Sequence, residues 1–79
     1  MKTPWGDLIR TRLSMTKEDL FSAPIAARLL GFSSAKAYKE IASGRLPSVD
    51  LNADVPGHPC YRLTKPDLLE YVKRVEDKV

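Results

Sequence analysis

The 79-residue sequence predicts one small α+β domain, mainly helical, and three observations carry that expectation. Residues 21–47 (FSAPIAARLLGFSSAKAYKEIASGRLP) hold two short stretches of helical periodicity separated by Gly31 and Phe32. Residues 46–63 hold two runs of alternating polar and apolar residues around a segment dense in turn formers, NADVPGHP at 52–59. After Thr64, the apolar residues Leu68, Val72 and Val75 return to helical spacing. Two helices and a tight turn, a two-stranded β-hairpin and a closing helix follow from these patterns.

The first 15 residues are the hardest to place, and they are set apart as an N-terminal arm, with the domain proper at 16–79. Pro4, Gly6 and Asp7 favour a turn or irregular start. Leu8, Ile9 and Leu13 allow one helical turn on the domain surface; a loosely ordered arm is the alternative, and both readings stay open. Trp5 either packs on the domain or docks a partner.

Residues 16–19 (TKED) look like a capped start opening a single helical turn through Leu20 and Phe21. Ser22 is then expected to cap a helix with Pro24 in its first turn, where a missing N–H costs little. Ala23, Ala26, Ala27 and Leu30 give that helix a narrow face suited to close packing, and Gly31 ends it. Phe32 is expected as the buried residue of the turn, and Ser33 as the cap of the next helix. Ala37 and Ile41 face inward, leaving Ser34, Ala35, Lys36 and Lys39 outward, and Ser43-Gly44 ends the helix. Val49 and Leu51 form the half-buried face of a first strand, Tyr61 and Leu63 one face of a second. Thr64 caps the closing helix, with Leu69 and Tyr71 flanking its inner stripe.

Composition narrows the function classes. With 43% hydrophobic and 29% charged residues the chain fits a folded domain rather than a disordered tail. Its net charge of +3 permits a polyanionic partner without requiring one. The distribution says more: residues 32–47 hold Lys36, Lys39 and Arg45 against Glu40 alone. Cys60 is the only cysteine, and no apolar stretch has signal-peptide or membrane-span length, so a reducing, cytoplasmic setting is expected. His58 and Cys60 are two apart, but with no other Cys or His a protein-only zinc site cannot close. Asp50 and Asp54 have no nucleophile or pocket to serve on a hairpin, so the chain is not expected to be an enzyme and no cofactor is implied.

One helix to brace, a glycine to turn and a basic, hydroxyl-rich helix to enter a groove make the layout of a helix-turn-helix. On that layout the expected DNA contacts can be named. Lys36 and Lys39 project from the early turns of the second helix toward base edges or phosphates. Ser33 and Ser34 stand at its N-terminus, where free N–H groups favour an anion. Tyr38 offers its hydroxyl to a phosphate while its ring packs on the domain. Arg28 on the outer face of the first helix, Arg45 just past the second and Arg62 on the hairpin complete the expected set.

The same residues carry a resemblance to a known family. SAPIAARLLG (22–31), SSAKAYKEIASGRLP (33–47), Tyr61-Arg62-Leu63 and the pair Asp67-Leu68 followed by Tyr71-Val72 resemble the excisionase branch of the MerR-like winged helix-turn-helix proteins. The likeness covers roughly residues 20–75 and implies a second helix in the major groove with the hairpin as a wing. Members include recombination directionality factors that bend attachment-site DNA and help an integrase excise a phage or mobile element. It therefore implies double-stranded DNA as partner, a cognate integrase, cooperative self-association of several copies on DNA, and no cofactor. Two other roles stay open: a small transcriptional regulator of the same fold, and a winged-helix module that docks protein. The hairpin departs from the family pattern, with Asp54 and His58 at its tip and Cys60 where a basic residue is expected. An acidic tip is repelled by a phosphate-lined groove, so deep insertion of the wing is not expected.

Overall fold

A computed structural model describes residues 2–55, 57 and 60–78, and within them the chain is built of four helices and one three-stranded antiparallel sheet. The N-terminal residues give the largest departure from expectation. Instead of a turn with at most one helical turn, Pro4–Met15 is a 12-residue helix, α1. The Thr3 hydroxyl accepts from the Gly6 N–H at 2.9 Å, Pro4 occupies the first turn and Asp7 adds a favourable charge there. Ile9 and Leu13, four apart, are fully buried in the shared core, so α1 is part of the domain's packing.

Residues 16–19 do not open a helical turn. Thr16 ends α1, its N–H donating to the Leu13 carbonyl and its hydroxyl to the Arg12 carbonyl. Leu20–Ser22 is instead a strand, β1. The reason is tertiary: extended backbone lets Phe21 face Leu63 across the strand pair, both essentially buried. Burying a phenylalanine side chain is worth ~1.5–3 kcal/mol, more than one capped turn contributes.

Helix α2 (Ala23–Leu30) and helix α3 (Ser34–Ala42) flank a tight turn. Ser22 occupies the cap position of α2 as expected and is also the last residue of β1, opposite Arg62, but its hydroxyl makes no capping bond. Gly31 closes α2 in the left-handed region at φ 80°, which an L side chain rarely adopts. Ala23, Ala26, Ala27 and Leu30 are all buried, as their spacing predicts. Ala37 and Ile41 of α3 face inward, as expected; Glu40 joins them there, which the spacing of apolar residues alone does not predict.

Strand β2 (Val49–Asp50) and strand β3 (Tyr61–Thr64) form the expected antiparallel hairpin, and β1 joins its other side to give the order β1-β3-β2. The first strand faces the opposite way from expectation: Val49 and Leu51 are 55% and 58% exposed. Asp50 turns inward instead, its Oδ1 accepting from the N–H groups of Asn52 and Cys60, both at 2.9 Å. Two backbone donors at the hairpin neck need that acceptor, and a one-residue alternation then sends Val49 and Leu51 outward. His58 lies outside the described residues.

Helix α4 (Lys65–Glu76) starts with a complete capping box: Thr64 Oγ1 accepts from the Asp67 N–H, and Asp67 Oδ2 accepts from the Thr64 N–H. Leu68, Tyr71 and Val72 are buried against the core, with Val75 half-buried beside them. Its last turn meets the start of α1. Glu76 is buried there, accepting from the Thr3 N–H at 2.6 Å and from Arg10 at 2.8 and 3.0 Å. No helix among the described residues is long and apolar enough to cross a membrane.

Candidate nucleic-acid interface

The outward side of α3 follows from its buried side. At about 100° per residue, Ala37, Glu40 and Ile41 fix the inner side, so Ala35, Lys39 and Ala42 lie opposite. Ser34 and Tyr38 fall on one flank of that face and Lys36 on the other. Its centre is therefore low, two alanine methyls around one lysine, with longer groups at the edges. Such a surface can come close to a groove floor, and exposed alanine methyls are suited to thymine methyl groups.

Ser33 caps this helix, its hydroxyl accepting from the Lys36 N–H at 3.2 Å. That bond satisfies one of the four free N–H groups of the first turn and leaves others pointing out of the helix end. Ser34 and Lys39 are exposed, and Lys39 makes no ion pair among the described residues. The Lys36 ammonium lies 4.3 Å from the centre of the Phe32 ring, within cation–π range.

Tyr38 is 44% exposed and its ring leans on Tyr61 of β3, with centroids 6.1 Å apart and planes tilted by 57°. This contact joins α3 to the hairpin. Arg62, the next residue of β3, takes the other face of the sheet by alternation, opposite Ser22 and Val49, and its guanidinium donates to the Tyr61 carbonyl at 2.8 Å. The two hairpin residues thus serve different sides.

Arg28 is exposed in the last turn of α2. Arg45 lies at the far end of α3 from Ser33 and Lys36, 3.5 Å from the Glu40 carboxylate, and its carbonyl accepts from Arg74. It helps line a cleft of about 430 Å³ between the ends of α3 and α4, together with Ser43, Tyr71, Arg74 and Lys78. Burial, and then the Glu40 charge, push the Tyr71 hydroxyl above its ordinary pKa. Of the expected contacts, α3 brings Ser33, Ser34, Lys36, Tyr38 and Lys39 onto one helix end and face, while Arg45 and Arg62 point elsewhere.

Sequence reasoning left Trp5 between packing on the domain and docking a partner; the structure packs it, and the bonds that fix the end of α2 were not foreseen. The α2 C-terminus leaves carbonyls unsatisfied, and α1 supplies their donors: Trp5 Nε1 to Leu30 at 2.8 Å and Arg12 to Leu29 at 3.0 Å. Trp5, Phe32 and Tyr71 form a three-ring cluster, with Trp5 stacked on Phe32 at 6.1 Å and Tyr71 edge-on to both. An early tryptophan next to a helix-favouring proline was the available signal. Among the described residues no group of three or more His, Cys, Asp or Glu is arranged to hold a metal. A scan against protein-family models, a search of curated proteins and a search of solved structures each find no match for this chain.

Proposed function

We propose that this protein binds duplex DNA as a winged helix-turn-helix, with α3 in the major groove and the β2–β3 hairpin beside it. The observation that supports the reading most is the exposed face of α3: a capped N-terminus with Ser33 and Ser34, a low centre of Ala35, Lys39 and Ala42, and Lys36 and Tyr38 at its edges. Phosphate contacts from the serines, lysines and Tyr38 supply most of the affinity, and the helix face supplies a modest specificity. Asp54 is exposed on the hairpin, and its repulsion from phosphates favours a wing tip held off the DNA over one inserted in the minor groove.

Within that class we favour an excisionase-like role. One small module contacts few base pairs, so several copies bind adjacent sites cooperatively and bend the DNA for an integrase. Gel shifts on duplexes carrying one, two and three candidate sites, with circularly permuted fragments to read bending, test this directly. Stepwise cooperative complexes with a bend support it; single unbent complexes return the reading to a transcriptional regulator.

A second reading, a protein-docking module, is favoured by one observation. Leu20, Val49 and Leu51 lie on the outer face of the sheet, each more than half exposed. Salt separates the two. With Lys36 and Lys39 each neutralising a phosphate, DNA affinity falls roughly tenfold between 50 and 200 mM salt, whereas apolar docking does not weaken.

A further inference from the structure

We propose that Phe32 is a positioning residue for Lys36, so that Lys36 meets a phosphate as a pre-placed ligand rather than as a free surface charge. This rests on the DNA-binding reading above and adds to it the origin of one contact's geometry. Phe32 precedes the cap of α3, and Lys36 lies four residues on, its ammonium 4.3 Å from the ring centre. A cation over a ring uses one side of its ammonium, and the remaining N–H groups stay available to an anion.

The ring itself is not free to wander. Its backbone N–H donates to the Ala27 carbonyl at 2.8 Å, Trp5 stacks on it with planes 12° apart, and Tyr71 meets it edge-on at 5.8 Å. Trp5 is fixed in turn by its bond to the Leu30 carbonyl. Rings from α1 and α4 therefore brace the turn's Phe32, the ring that lies under one lysine of the first turn of α3. Lys39, three residues along, has no ring beneath it among the described residues and serves as the internal control. A long lysine chain loses rotamer freedom when it binds, and a chain already held over a ring loses less.

A double-mutant cycle on a fluorescein-labelled duplex tests the inference, with Phe32→Leu keeping apolar bulk but removing the ring and Lys36→Ala removing the cation. Phe32→Leu is expected to weaken binding about threefold to tenfold more in the wild-type background than in the Lys36→Ala background. The same change paired with Lys39→Ala should stay additive. Equal losses with and without Lys36, or tighter binding by Phe32→Leu, overturn the proposal. A readout without DNA or variants is the NMR shift of the Lys36 ε-methylene protons, expected upfield from the ring; ordinary shifts in the wild-type protein overturn the proposal whether or not Phe32→Leu folds. A wild-type chain that binds no duplex overturns the phosphate role along with the DNA reading, and shifted Lys36 protons in that case trace the failure to the DNA reading and not to the geometry.

Discussion

Arg10 of α1 holds Glu76 of α4 with two hydrogen bonds, 2.8 Å to one carboxylate oxygen and 3.0 Å to the other, across 66 positions of sequence. This forked pair, with the Thr3 N–H and hydroxyl on the same carboxylate, fastens the first helix to the last.

The Glu76 carboxyl is pulled down from the ordinary 4.5 to about 2, first by Arg10 and then by the Thr3 N–H. The folded value lies below the unfolded one, so the clamp contributes fully above pH 4.5 and its contribution is lost as pH falls toward about 2. Urea midpoints between pH 6 and pH 2 should fall for the wild type, and Glu76→Gln should flatten that limb. A Glu76→Gln curve parallel to the wild type would count against the clamp.

Gly6 tests the same corner by volume. A Cβ added there would lie 2.1 Å from Glu76 Oε2, an atom that cannot swing away without losing Thr3 and Arg10. Helix propensity alone favours Gly6→Ala by ~1 kcal/mol, whereas overpacking costs ~1–3 kcal/mol. The variant should therefore be less stable than wild type in thermal melts, and in the Glu76→Ala background the order should reverse.

Thr64→Ala removes one half of the capping box of α4. The expected loss is about 1 kcal/mol, a drop in Tm of roughly 4–8 °C for a domain of this size. Thr64→Ser, which keeps the acceptor, should sit close to wild type in the same calorimetric scan.

Lys39→Ala should lower DNA affinity and reduce the slope of log affinity against log salt by about 1. Lys73→Ala, at a lysine likewise exposed on α4, should leave the slope unchanged. Equal effects at the two positions would mean that general charge, and not the α3 face, drives binding.

The parts of the fold that were legible in the sequence were those written locally. The α2 stop at Gly31, the Ser33 cap, the inward Ala37 and Ile41 and the Thr64 cap all follow from residues within one turn of each other. What was not legible depends on partners far along the chain. Phe21 is a strand residue because Leu63 lies across from it, and Val49 points outward because Asp50 is drawn inward to Cys60. Residues 4–15 form a helix with its inner face in the core because α4 and the end of α2 offer it Glu76 and two open carbonyls. For the candidate interface, spacing foretold which α3 side chains face out. It could not foretell that Lys36 rests on a ring, that Arg45 turns to Glu40, or that Tyr38 leans on Tyr61.

The bonds from Thr3 to Glu76 join positions 73 apart, so the folded chain is nearly a closed ring. A short flexible link between those ends would cost little, since they already touch, and fresh ends could be opened at the exposed turn after β2, around Ala53 and Asp54.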